Sequence, residues 1–338
     1  MTSETDLAAA VGRVAPAARL GQSGPVKILV TGASGFVGSR LATALEQAGH
    51  DVRAMTRRPE RYGGAGTAVA GDVGDEASLR QALEGCAAAY YLVHSLGDAD
   101  FERKDADAAR AFARAAAAAG VGRIVYLGGL GRDGDDLSRH LRSRREVERL
   151  LGGSGVPVTV LRAGIVVGHG GVSWEMTRQL VAHLPAMVTP RWVRTRTQPI
   201  AVSDVVRYLV GVLDAPGTEG RAFEVGGPEV LSYLQMLTRV ADIQNRHLFV
   251  VPVPLLTPQL SSRWLAFVTD VDVTTGRSLI DSMSNEVVVT DDAVRSVVPF
   301  EPMDYDHMVM TALVERAQER RRQDRERSGG WLSRGARR

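Results

Sequence analysis

The sequence has little of several things, and each scarcity excludes something. Cys86 is the only cysteine among 338 residues. No intramolecular disulfide can form, and a zinc site built on cysteines is excluded, which fits a reducing cytosol. Lysine is nearly absent: only Lys27 and Lys104 occur, so almost all positive charge is arginine. Neither sign of charge dominates, with 41 basic against 39 acidic side chains and a formal charge of +2. Such a balance gives no electrostatic case for nucleic acid as a partner. Aromatics are 5% of the chain, so the core must be mostly Ala, Val and Leu. No uninterrupted apolar run approaches the ~18 residues of a transmembrane helix. The most apolar stretch, Leu248 to Leu256, contains Pro252 and Pro254. The start of the chain carries Glu4 and Asp6 and lacks the basic residues and apolar centre of a signal peptide, so the expected location is the cytoplasm.

What is present is ordinary for a globular protein: 44% hydrophobic and 24% charged residues. At ~150 residues per domain the length suggests roughly two units, or one large α/β domain with an elaboration. Residues 1–25 read as a flexible leader rich in Ala, Gly, Ser and Pro. From Val26 a regular alternation begins. Strands are expected at Val26–Val30, Asp51–Met55, Thr67–Ala70, Ala88–Val93, Arg123–Leu127 and Val158–Leu161. Helices are expected through Leu41 and Leu45 to Gly49, then over Glu76–Leu83, Phe101–Ala119 and Leu137–Leu151. Such alternation predicts an α/β fold, a doubly wound parallel sheet with helices on both faces. Beyond about residue 162 short elements mix with Pro-rich connections, which predicts a smaller mixed C-terminal lobe. Residues 315–338 are dominated by Arg, and a frayed helix end followed by disorder is expected there.

Thr31-Gly32-Ala33-Ser34-Gly35-Phe36-Val37-Gly38 follows the first strand and opens a helix. Three glycines at this spacing serve a tight turn, a close approach of backbone to a pyrophosphate, and close helix–strand packing. The helix N-terminus adds free N–H groups and partial positive charge. Gly32, Ala33, Ser34, Gly35, Phe36 and Val37 are therefore candidate cofactor-binding residues. A site preferring NAD places an acid after the second strand, about 20 residues on. Here Met55-Thr56-Arg57-Arg58-Pro59 offers two guanidiniums instead, which favours NADP(H) over NAD(H).

The GxxGxxG spacing resembles the short-chain dehydrogenase/reductase superfamily in its extended and atypical branches. Gly71-Asp72-Val73 resembles its adenine-binding pair, which implies cofactor contact by Asp72 and Val73. Leu161 through Gly168, Gln198 through Val205, and Phe223 through Gly227 resemble later segments of the extended branch. His140 through Arg144, Gln198-Pro199-Ile200 and Trp264 through Val289 resemble the atypical branch, which includes NmrA-like proteins and a complex I accessory subunit. The resemblance implies a Rossmann domain over residues 26–240, with substrate-lobe insertions from about 162, a C-terminal lobe over 241–314, and the Arg-rich tail beyond.

Reductases of that superfamily use Ser, Tyr and Lys. The Tyr exchanges the substrate proton and the Lys, one helical turn on, lowers its pKa. This chain departs at all three places. The fifth strand runs into Gly128-Gly129, and His140 and Arg144 stand at the Tyr and Lys spacing. Two readings stay open. His140 is a proton donor with Arg144 fixing the cofactor ribose or a substrate charge, and the protein is an oxidoreductase acting on a small apolar carbonyl or quinone-like substrate. Alternatively, hydride chemistry is lost, and the chain is a dinucleotide-binding redox sensor or assembly subunit with a protein partner. His94 and Ser95, after the fourth strand, are expected to border the nicotinamide. Tyr90 and Tyr91 are expected in the core or the cofactor wall. Asp204 reads as the cap of a helix beginning at Val205, Gln198 as a loop anchor, and Arg162 as facing the crevice or paired with a carboxylate. Trp174, Met176, Val181, Leu184, Met187, Val188 and Trp192 suggest an apolar pocket or lid, or the ordinary core of the lobe. No spacing typical of metal ligands occurs.

Overall fold

Lys27–Thr31 (β1) is a short aliphatic run whose last four residues are fully buried, as a strand covered on both faces must be. The computed structural model describes residues 24–95, 97–132, 134–183, 186–189, 191–252 and 273–335. In it β1 sits inside a seven-stranded sheet. Asp51–Thr56 (β2) and Thr67–Ala70 (β3) lie on one side of β1. Ala88–Tyr91 (β4), Arg123–Gly129 (β5), Val158–Ala163 (β6) and Ala222–Val225 (β11) lie on the other. Every neighbouring pair is parallel, with β1 registered from Lys27 opposite Asp51 to Thr31 opposite Met55. The chain steps outward from β1 to β3, then returns to place β4 against the free side of β1. That reversal opens a crevice beyond the carboxyl ends of β1 and β4.

Helices cover both faces. Phe36–Gln47 (α1) and Val202–Asp214 (α6) bury Leu41, Leu45, Val205 and Leu209 on one. Glu76–Leu83 (α2), Phe101–Ala118 (α3) and Arg139–Gly152 (α4) bury Leu79, Phe112 and Val147 on the other. The alanines of α3 let it lie close between its neighbours, which suits a core so poor in aromatics.

Past β6 the chain builds its second lobe from short pieces. Val166–Val167 (β7) pairs with Ile200–Ala201 (β10), Ala186–Thr189 (β8) with Phe249–Pro252 (β13), and Arg196–Thr197 (β9) with Leu231–Ser232 (β12). Val172–His183 (α5), Tyr233–Ile243 (α7) and Val273–Ser282 (α8) accompany them, followed by Val294–Val297 (α9) and Tyr305–Gly335 (α10). Trp174 and Met176 are buried with Leu180, Met236, Tyr305 and Met308. They form the core of this lobe, the second of the two readings open from sequence, because α5 turns that face toward α7 and α10. Trp192 packs edge-on against Tyr233. Leu184, the side chains of Met187 and Val188, Trp264, and residues 1–23 of the leader lie outside the described residues.

Several boundaries move for physical reasons. β4 ends at Tyr91 and not Val93, because the Leu92 N–H turns to Thr31 Oγ1 at 3.0 Å and leaves the ladder. α4 starts at Arg139, where Ser138 caps the Leu141 N–H. α6 starts at Val202, so Asp204 lies inside its first turn. Asp204 is not the cap; its carboxylate accepts the Met303 N–H at 2.8 Å. The Arg-rich segment continues α10 to Gly335, where a frayed end and disorder were expected. Proline is absent there, and Arg322 pairs with Glu319 and Glu326 one turn away on either side. No described helix is long and apolar enough to cross a membrane.

Candidate functional site

The crevice beyond β1 and β4 has a volume of about 1500 Å³. The end beside the glycine loop is built of backbone. Gly32 has φ +65°, a conformation that favours glycine, and it lies against the Leu92 carbonyl. A Cβ on Gly38 would overlap the Gly32 carbonyl, so this glycine lets α1 pack onto the loop. Gly35 is the N-cap of α1, with no side chain capping the helix and no acid in its first turn. Free N–H groups at the start of α1 are therefore left for an anion. Gly32, Ala33, Ser34 and Phe36 line the crevice. Val37 does not: its side chain packs into the core beside α1, since successive helical positions point 100° apart. Arg40 bonds the carbonyls of Phe36 and His169 and the carboxylate of Glu315, which holds the loop against α10.

At the β2 end, Arg57 and Arg58 are exposed on the crevice wall, and neither has an ion-pair partner among the described residues. Arg61 and Tyr62 join them on the short turn Pro59–Arg61 and beyond it. Sequence reading passed over Arg61, although the run Arg57-Arg58-Pro59-Glu60-Arg61 places a third guanidinium within reach. Asp72 and Val73 line the same end. Asp72 accepts the Gly74 N–H at 2.8 Å and so shapes its own turn.

The opposite end is made of side chains from four elements. His94 and Ser95 follow β4, and His140 comes from the first turn of α4. The Ser95 N–H donates to Asp105 of α3 at 2.8 Å. The other oxygen of Asp105 pairs with Arg144, and both partners are buried, at 2% and 6% exposure. Arg144 therefore does not line the crevice, and its expected contact with a ribose is corrected. Its guanidinium is held by Asp105 behind the histidines. His94 is exposed where it lines the crevice, and the walls around it take away part of the water that would solvate a charge. That desolvation, with the Arg144 charge, lowers its pKa to about 4. Burial of the half-open His140, followed by Arg144 and His94, lowers its pKa to about 3. Both rings are neutral at neutral pH. His140, expected as a proton donor, therefore meets the crevice as a neutral ring. Its Nδ1 lies 3.2 Å from Ser282 Oγ on α8. Gly129 ends β5 where a Ser would be sought. A Cβ there would lie 2.9 Å from Leu141 and 3.2 Å from Arg144, so the place is filled.

The remaining candidates are structural. Arg162 forks onto Glu148 at 3.1 and 2.6 Å. Gln198 donates to the Gly227 carbonyl and accepts the Val289 N–H, which clamps its loop. Tyr90 is buried, with its hydroxyl on the Leu209 carbonyl, and Tyr91 packs on Phe112. Among the described residues no group of three His, Cys, Asp or Glu could hold a metal ion.

The donors fit a dinucleotide on observations of this chain: an uncapped helix start, a cradle that a Cβ at Gly38 would fill, and unpaired arginines at one end. The profile of a family described as NAD(P)H-binding matches residues 32–216. A Streptomyces griseus protein named (4-alkanoyl-5-oxo-2,5-dihydrofuran-3-yl)methyl phosphate reductase is 34% identical over 233 residues, 65% of this chain and 75% of that one. The triphenylmethane reductase of Citrobacter sp., solved with NADP(H), superposes with a TM-score of 0.70 at 18% identity, covering 84% of this chain and 99% of that one. An Escherichia coli NADPH-dependent quinone oxidoreductase, solved with NADPH, gives 0.69 at 20% identity, covering 84% and 98%. At such identities these two likenesses are ones of fold.

Proposed function

The chain belongs to the NAD(P)H-binding family within the atypical short-chain dehydrogenase/reductase superfamily, and from that premise we propose that it is an NADPH-dependent reductase of a small conjugated carbonyl or quinone. One observation carries this reading: the crevice sets unpaired arginines at one end against two neutral histidines at the other.

In this reading the backbone of Gly32 to Val37 receives the pyrophosphate and Arg57 and Arg58 hold the ribose phosphate that distinguishes NADP(H). Asp72 and Val73 meet the adenine. When bound, the reduced cofactor supplies a hydride. His94 and Ser95 border the ring that delivers it, and Asp105 keeps the Ser95 backbone in place. A simple ketone needs a proton as the hydride arrives, and Tyr with Lys meets that need in related reductases. Two neutral imidazoles beside Arg144 are poor acids. A quinone or an unsaturated lactone spreads the incoming charge over its own π-system and takes its proton from water afterwards. The relative named as a reductase of an unsaturated lactone phosphate, and the fold neighbour named as a quinone oxidoreductase, agree with that substrate class.

The filled Ser position at Gly129 favours a second reading, a dinucleotide-binding sensor or assembly subunit without hydride transfer. Titration with NADPH and NADH, followed by NADPH oxidation assays with a naphthoquinone, an unsaturated lactone and a simple ketone, separates the two. Selective NADPH binding and turnover of the conjugated acceptors alone are expected. Tight binding without any turnover moves the assignment to the second reading. No binding of either nucleotide ends both.

A further inference from the structure

The protons around His140 determine which ring nitrogen meets the crevice. Ser282 has one hydroxyl proton and donates it to the Ser278 carbonyl, 2.9 Å away within α8. Its oxygen can then only accept. Two groups reach that oxygen, Ser138 Oγ at 3.0 Å and His140 Nδ1 at 3.2 Å. Ser138 Oγ already accepts the Leu141 N–H, which leaves its own proton for Ser282. With the Ser282 proton on the Ser278 carbonyl, His140 Nδ1 is the donor to Ser282 Oγ, and in a neutral imidazole that arrangement leaves Nε2 bare. Nε2 has no protein partner among the described residues, and the ring lines the crevice. The charged and titratable groups acting on the ring are Arg144 and His94, and both oppose a second proton. A lone pair opening onto a crevice accepts a hydrogen bond and cannot donate one.

We propose that His140 is a specificity residue that selects a substrate bearing a hydroxyl group, held by an O–H···Nε2 hydrogen bond. This rests on the reading that a conjugated acceptor occupies the crevice beside the nucleotide. An ether of the same shape would leave Nε2 desolvated and unpaired, so the site rejects it. Ser282 and Ser138 are positioning residues that act through the ring. Loss of Ser282 frees His140 to move its proton to Nε2 and become a donor.

Two measurements test the proposal. Nitrogen NMR of histidine-labelled protein, free and with NADPH, reads which ring nitrogen of His140 is bare. Binding of hydroxymethyl naphthoquinone is compared with that of its methyl ether in the complex with oxidised cofactor. A bare Nε2 and about a 10-fold preference for the alcohol are expected, the worth of one such hydrogen bond. His140→Asn keeps a donor toward Ser282 but is too short to set an acceptor at the Nε2 place, so the preference should vanish. His140→Gln, with an amide oxygen near the Nε2 place, should restore part of it. Ser282→Ala should lose the preference while the chain stays folded and binds NADPH. A bare Nδ1, equal binding of alcohol and ether, or binding of neither overturns the proposal. Failure of NADPH to bind overturns the function reading instead, and the ring-nitrogen measurement still stands on its own.

Discussion

The two ends of the crevice are held by different kinds of interaction. At the glycine-loop end the contacts are backbone: Gly32 in a left-handed conformation, Gly38 crowded against the Gly32 carbonyl, and the uncapped start of α1. At the histidine end they are side chains gathered from the loop after β4, α3, α4 and α8. The difference teaches how one superfamily keeps a cofactor loop while its chemistry changes. A backbone cradle tolerates few replacements, because adding a single Cβ to Gly38 blocks it. A side-chain constellation can be exchanged as a set. Here Gly129, His140 and Arg144 stand at the places where the resemblance implies Ser, Tyr and Lys, and Arg144 is buried against Asp105.

The comparison breaks most severely at Asp105. Asp105→Ala strands the buried Arg144 charge and should cost about 3–5 kcal/mol in urea unfolding. The fraction that stays folded should bind NADPH within a few-fold of the native protein, since the glycine-loop end does not depend on this pair. A comparable collapse of NADPH affinity would mean that the two ends are not independent. Gly38→Ala should cost about 3 kcal/mol by forcing the loop away from α1, and here nucleotide affinity should fall with stability. Native stability in that variant would show that α1 can shift without loss.

Arg57→Ala sharpens the comparison from the other side. It should weaken NADPH by about 10- to 100-fold, the worth of charge-assisted hydrogen bonds, and leave NADH nearly unchanged. Equal losses for both nucleotides would remove Arg57 from the phosphate site. The smallest effect concerns pH. His94 and His140 have folded pKa values below the ordinary 6.5, at about 4 and about 3. The unfolded chain therefore takes up protons first as pH falls, and stability drops from about pH 6.5 toward about pH 3. His94 opens to the crevice, so its share is screened. The slope should become shallower in His140→Gln, read by thermal unfolding across that range; an unchanged slope would assign the protons elsewhere.

Contiguity separates what could be read early from what could not. The strand β1, the glycine loop and α1 form one uninterrupted stretch, so the tight glycine turn opening α1 was legible from spacing alone. Arg57 and Arg58 were legible for the same reason, being a fixed distance after that stretch. Arg144 was placed at the right helical position and given the wrong role, because its partner Asp105 lies 39 residues earlier on another helix. A signal for that partner existed. Asp105 falls on the apolar stripe of α3 with Phe101, Ala108, Ala109 and Phe112, where a lone carboxylate must find a buried cation. Ser282 had no such signal, since nothing in its neighbourhood points to a histidine 142 residues away. Trp174 and Met176 were apolar in either reading, and only the packing of α5 on α7 and α10 decided between core and lid.

The amino-acid sequence by itself determined the parallel sheet, the place of its reversal and the glycine-loop end of the crevice. Those depend on local conformation, short-range periodicity and the steric demands of glycine, which neighbours along the chain impose. The tertiary structure alone decided the state of the histidine end. The neutrality of His94 and His140, the burial of Arg144 and the pairing of His140 Nδ1 with Ser282 depend on dielectric surroundings and hydrogen-bond partners. Both come from residues far apart in the chain, and only folding sets them side by side.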